Sequence, residues 1–360
     1  MRTPLFNEHI QLGAKMTDFA GWEMPAYYSH ISDEVLSTRR GAGIFDLSHM
    51  GEFLISGQSA LDSIQLLTTN DASNLKIGRA QYTLMCLDDG GVIDDLLVYR
   101  TGELEYMLVV NASNIQKDYD WITGHLLPGT SVRNRSDETA LIAVQGPESA
   151  SVLRTLLGVQ IPALPRNHII MQRIGTADCS IATTGYTGEL GYEIYCPTSE
   201  AVQLWNLLMN VGKEFGMIPV GLAARDILRT EAAYPLYGHE IDESITPIDA
   251  GLGWAVKLSK GEFIGKDAIS EVKEAGPARS LVGLTTPERC ILRQGYAISK
   301  DGDTVGEVTS GTFSPTLNAA IAMAYVEPDC AASGTMVEVK IRERLCALEV
   351  VNLPFYKRPE

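Results

Sequence analysis

A chain of 360 residues is too long for one ordinary hydrophobic core, so two or three domains are expected. With 45% hydrophobic residues and a mean hydropathy near zero it reads as an ordered, water-soluble protein. The formal net charge of −16 argues against general binding to nucleic acid or anionic membranes, while leaving room for a local basic patch.

The first residues, "MRTPLFNEHIQLGAKM", lack the uninterrupted apolar stretch of a secretory signal. The longest apolar run, "AAIAMAYV" at 319–326, is far short of the roughly 18 residues of a membrane span. A cytoplasmic protein is therefore expected. In chain order, the first clear element is a helix over 33–40, stopped by "GAG". "YTLMCL" (82–87), "VIDDLLVYR" (92–100) and "YMLVVN" (106–111), joined by "DDGG" and "TGELE", predict a three-stranded antiparallel meander. "CSIATT" and "YEIYC", flanking the glycine-rich "GYTGELG", predict a second hairpin over 179–196.

Val202, Trp205, Leu208, Val211 and Phe215 recur at helical spacing, with Thr198 and Ser199 available as caps. A further helix is expected over 222–233, "LAARDILRTEAA", entered just after Pro219. Beyond Gly276 short alternating strands take over, from "SLVGLTT" to "LCALEVV", and predict a small β-barrel or sandwich. A boundary is placed at 274–279. No repeat of 20–50 residues is present, which argues against a solenoid.

The six cysteines form no C-x-x-C pair and read as reduced, individually buried thiols. The six histidines are also dispersed, so no metal site is expected. "GEFIGKD" has the wrong spacing for a P-loop, "GLGWAV" lacks the third glycine of a dinucleotide fingerprint, and no G-x-S-x-G occurs.

Three stretches carry candidate chemistry. In "GGVIDDLLVYR" side chains alternate, so Asp95 shares a face with Tyr99 while Asp94 points the other way. The two aspartates are not a dyad; each either caps a turn or pairs with an arginine, or, for Asp95, points into a ligand site. The glycine-rich hairpin "TTGYTGELGYE" lets a ligand approach the backbone and places Glu193 on the returning strand. Arg225 and Arg229, at i and i+4, share one helix face and are either functional or surface arginines matched by Asp226 and Glu231. Near the chain's end, "NLPFYKR" contributes Phe355 and Tyr356, an aromatic pair that reads as a packing plug or a ligand contact.

Together with "LGAKMTDFAGWEMPAYY", "GIFDLSHMGEF", "VVNASN", "IAVQGP", "GLAARDILRTEAAYPLYGHEI", "ITPIDAGLGWAVKL", "FIGKDA" and "VGEVTSGTFSPTL", these stretches occur in an order that resembles the aminomethyltransferase (T-protein) family of the glycine cleavage system. The resemblance runs over essentially the whole chain. It implies an α+β fold, a three-domain cloverleaf with antiparallel sheets, a central folate cavity and a C-terminal β-barrel. The implied domains are 1–50 with 137–245, 51–136 with 246–275, and 276–360. The implied reaction moves a methylene group from aminomethyl-dihydrolipoyl H-protein to tetrahydrofolate, releasing ammonia and forming 5,10-methylenetetrahydrofolate. Lipoylated H-protein and tetrahydrofolate are the expected partners, with no nucleic acid, membrane or metal.

By the same resemblance Asp95 is the catalytic carboxylate near folate N10. Glu193 binds the pterin, and Arg225 and Tyr356 match further binding positions. Tyr82, Tyr99, Val110, Asn111, Tyr186 and Tyr234 match positions near the cavity. Thr184 and Leu190 depart from the family's pattern, which bears on loop conformation more than on chemistry. Arg39, Arg40, Lys257 and Lys260 are candidates for a basic surface facing an acidic partner. Two alternatives are a folate-dependent demethylase on the same fold and a non-enzymatic folate-binding paralogue.

Overall fold

The computed structural model describes residues 1–158 and 164–359. It is a mixed helix and sheet protein whose extended sheets are almost wholly antiparallel. Two compact units are distinguished, one of residues 1–64, 72–82 and 96–226, the other of 65–71, 83–95 and 227–360.

In the first unit a six-stranded sheet runs in the order Ile169–Ile174, Ala177–Ala182, Gly191–Pro197, Thr139–Gln145, Gly43–Asp46 and Ile218–Pro219. Only the last pair is parallel. The expected hairpin is the second and third of these strands, with Ile181 opposite Ile194 and Ala182 opposite Glu193. The helices Ser149–Leu157 and Ala201–Gly212 contribute to its core, where Leu204, Trp205 and Leu208 pack among Ile142, Ile181 and Ile194. One buried stripe at 3.6-residue spacing explains why this segment is helical, though Val202, counted in that stripe from sequence, is exposed while Ala201 and Leu204 are buried. Thr198 does not cap it. A 3-10 turn over Thr198–Glu200 leads into the helix, and the Thr198 hydroxyl donates instead to the Asp137 carbonyl at 3.1 Å.

The predicted meander is present as Arg79–Cys86, Val92–Arg100 and Glu105–Val110. It belongs to a five-stranded sheet completed by Gly51–Gly57 and Thr130–Asn134, two strands the turn signals did not reveal. The region beyond 276 is a closed barrel in the order Ser280–Thr286, Ala319–Val326, Asp303–Ser314, Ala297–Lys300, Met336–Ile341 and Arg344–Val351. Leu284, Val308, Ala324, Val339 and Leu348 fill its interior. A bulge between Val308 and Ser310 bends the longest strand, one of the devices by which a small sheet closes on itself.

All six cysteines are free, as expected. They are not all isolated, however, because the Cys290 and Cys346 sulfurs lie 2.8 Å apart. Among the described residues no helix is long and apolar enough to cross a membrane.

Candidate functional site

In the first unit the loop 183–190 is built to be rigid. Gln145 Nε2 donates to the Thr184 carbonyl at 3.2 Å, and the Thr187 hydroxyl donates to Gln145 Oε1 at 3.0 Å. A Cβ on Gly185 or Gly191 would lie 2.0 or 2.2 Å from that Gln145 side chain, so only glycine admits the buried amide. Arg39 secures the loop from its other side, donating to the Thr187 carbonyl at 2.6 Å and to Glu189 at 2.9 Å. Arg39 is buried, so it is not the basic surface residue expected from sequence.

Glu193 stands on the returning strand and is 7% exposed. The Thr184 hydroxyl donates to one of its carboxylate oxygens. Tyr99 Oη lies 2.9 Å from Thr184 Oγ1 and 3.1 Å from Tyr195 Oη. Each hydroxyl has one proton to give. With Thr184 committed to Glu193, Tyr99 must donate to Thr184, and Tyr195 to Tyr99. The chain is therefore directional and ends on a carboxylate. Thr184, set aside as a matter of loop shape, holds Glu193 in place.

Arg225 sits on the helix Leu222–Glu231 with its guanidinium carbon 4.7 Å from the Tyr186 ring centre. Burial bears its pKa down, while Tyr186 and Glu193 act to hold the charge. Burial pushes the Glu193 carboxyl up from its ordinary value, against the Thr184 hydrogen bond and the Arg225 charge. The helix is entered where sequence placed it. The buried Glu34 carboxylate accepts the Gly221 N–H at 2.9 Å and the Ser29 N–H at 2.9 Å. Tyr186 and Asn111 are half-buried, Tyr82 likewise, and Val110 is wholly buried against Gly51.

Two groups here were missed at the sequence level. His49 is 2% exposed with no hydrogen-bond partner on Nδ1. Burial and the Arg225 charge push it down to about 4, against the pull of Asp46, so it is neutral at pH 7. Glu52 is 2% exposed with neither carboxyl oxygen hydrogen-bonded, and burial raises it well above the ordinary range. Its charge would act on both Tyr99 and Tyr195. The only sequence signal was a polar residue alternating with Phe53 and Ile55 in "GEFLI".

In the second unit, Asp94 is completely buried and Asp95 half-buried, in line with their opposite faces. The Tyr234 N–H donates to the Arg229 carbonyl at 2.9 Å and the Tyr356 N–H to the Glu231 carbonyl at 2.8 Å. Both tyrosines are thus tied to carbonyls that a helix end leaves open. Arg229 is no surface arginine. It is 1% exposed and pairs with Glu240 at 2.9 Å and Ser310 at 2.8 Å. Glu231 accepts from Ser314 at 2.5 Å and Thr316 at 3.0 Å. Phe355 packs on Gly283, where a Cβ would come within 2.9 Å of its ring. Lys260 gives its ammonium to the carbonyls of Gln65 (2.7 Å), Thr68 and Asn70 (2.9 Å), which removes it from the basic surface. Arg40 and Lys257 are exposed.

Residues 5–260 match the family model for the GCVT N-terminal domain, and 279–357 match that for the glycine cleavage T-protein C-terminal barrel domain. An aminomethyltransferase of Symbiobacterium thermophilum is 48% identical, covering 99% of this chain and 98% of its own. One from Bacillus subtilis is also 48% identical, covering 99% of both. The crystal structure of glycine cleavage system aminomethyltransferase T from Bartonella henselae superposes with a TM-score of 0.94 at 36% identity, covering 99% of this chain and 98% of that one.

Proposed function

The chain belongs to the glycine cleavage T-protein family and is an aminomethyltransferase, and from that premise we propose the substrates and the residues that serve them. The methylene donor is the aminomethyl-dihydrolipoyl arm of H-protein and the acceptor is tetrahydrofolate. The methylene carbon exchanges its bonds to sulfur and to the amine nitrogen for bonds to two folate nitrogens. The two folate N–H protons leave with the thiol and with ammonia, so no oxidant is needed.

The observation that carries the folate reading is the buried carboxylate of Glu193, flanked by Arg225 and the Tyr186 ring. The 2-amino and N3–H groups of a pterin form a donor pair that such a carboxylate accepts bidentately. Aromatic faces give the flat ring a stacking surface. Asp95, the more exposed of the adjacent aspartates, accepts the N–H of the weakly basic arylamine nitrogen. That hydrogen bond orients the lone pair and offsets positive charge as the new bond forms. Tyr356 and Tyr234 serve the same ligand, and holding two large substrates together supplies much of the rate. We also propose the division 1–50 with 137–245, 51–136 with 246–275, and 276–360, supported by the match of the barrel model from residue 279.

Ammonia release from aminomethylated H-protein, measured with and without tetrahydrofolate, tests the reading. Strong stimulation by the folate is expected. In Asp95→Asn, folate binding is retained and turnover falls by about 10²–10⁴-fold, the span ordinarily lost with a positioned acid–base group. Unchanged turnover in that variant would remove Asp95 from the mechanism. Folate binding without ammonia release would support a non-enzymatic protein instead.

A further inference from the structure

Cys346 lies on the last barrel strand, 1% exposed and opposite Val339. Cys290 lies in the segment between the strands Ser280–Thr286 and Ala297–Lys300 and is half-buried, the most accessible of the six cysteines. Their sulfurs are 2.8 Å apart. That is inside the roughly 3.5–4.0 Å at which unbonded heavy atoms rest, and within ~1 Å of a disulfide bond length. A second contact holds the same two segments together. Arg344 pairs with Glu288 at 2.6 Å, each two residues before one of the cysteines. The Cys290 N–H is itself fixed, donating to the Glu288 carbonyl at 2.9 Å. The approach of the two thiols is therefore framed by a side-chain ion pair between the same segments, by the backbone hydrogen bond at Cys290 and by the strand register of Cys346.

We propose that Cys290 and Cys346 are a modification site, forming a reversible intramolecular disulfide with a small-molecule disulfide as oxidant. The Cys290 thiolate attacks the oxidant, forming a mixed disulfide and releasing one thiol. The Cys346 thiol loses its proton and attacks the Cys290 sulfur, expelling the second. Two protein thiols and one external disulfide become one protein disulfide and two external thiols. The bond ties the segment after the first barrel strand to the last strand.

Burial and the neighbouring Cys346 push the Cys290 thiol up to about 12, against the pull of Arg344. Only a small thiolate fraction exists at neutral pH, so the pair stays reduced under brief exposure and closes under sustained exposure. The thiolate fraction, and with it the rate, rises about tenfold per pH unit below that value.

The test uses the full reduced chain incubated with oxidised glutathione at pH 7.5 and 8.5, followed by alkylation and non-reducing digestion for mass spectrometry. The expected product has lost two hydrogens and carries one linked peptide pairing Cys290 with Cys346, reversed by dithiothreitol. It forms about tenfold faster at the higher pH. Cys290→Ser and Cys346→Ser each abolish the link, and the oxidised wild type melts several degrees above the reduced form. A stable glutathione adduct on Cys290, a link to another cysteine, or full alkylation of both thiols after prolonged oxidation would each overturn the proposal.

Discussion

A carboxyl group buried without a partner costs free energy in its charged form, and Glu52 is such a group. Its folded-state pKa lies well above 4.5, because burial disfavours the anion. Between those values the folded chain holds a proton that the unfolded chain has released. Stability from this group is therefore greatest at low pH and falls as pH rises, by about 1.4 kcal/mol per unit. Glu52→Gln removes that dependence. Urea unfolding at pH 5 and pH 8 should show the variant gaining on wild type at the higher pH, and a constant difference would refute the burial argument. Glu193 differs, because Thr184 and Arg225 work against its burial. Its position was legible from the motif, yet the Tyr195–Tyr99–Thr184 chain behind it was not, since it joins residues 85 and 96 positions apart.

Elements were easier to read than their ends. The helix over 201–212 follows from one apolar stripe, and the meander from alternation between turn glycines. The strands Gly51–Gly57 and Thr130–Asn134 escaped because the first pairs with the meander's edge strand Glu105–Val110 and the second with the first, each over a long sequence separation. Lys260 shows how an element's end can claim a distant residue. Its ammonium donates to the carbonyls of Gln65, Thr68 and Asn70 around the end of the helix Ala60–Leu67, where a charged donor suits the carbonyl end of a helix. Lys260→Met keeps the length of the side chain and takes a charged donor away from three carbonyls. A loss of about 2–4 kcal/mol is expected in denaturant unfolding, and a change below 0.5 kcal/mol would mean that water replaces the ammonium without cost.

For the whole molecule, ligand binding and stability are linked. A ligand at a hundred times its dissociation constant stabilises the state that binds it by about 2.7 kcal/mol. Tetrahydrofolate should therefore raise the thermal midpoint of the wild type. In Glu193→Gln the loss of a charge-assisted hydrogen-bond acceptor weakens binding about ten- to hundredfold and removes most of that shift. An undiminished shift in the variant, measured by calorimetry at the same ligand concentration, would place the pterin elsewhere.

The amino-acid order by itself determined the family, the barrel strands beyond residue 276, and the separation of Asp94 from Asp95, because motifs and strand alternation are local properties of the chain. Tertiary structure alone decided which charges are spent inside the protein. Arg39, Arg229 and Lys260 look like surface cations in sequence, yet each is taken up by carboxylates or carbonyls, 11 positions away for Arg229 and 150 and 190 for Arg39 and Lys260. It also decided that Cys290 and Cys346, 56 positions apart, touch. Periodicity records which face of an element is buried. It does not record what that face meets, and the partners of a buried polar group are set by that meeting.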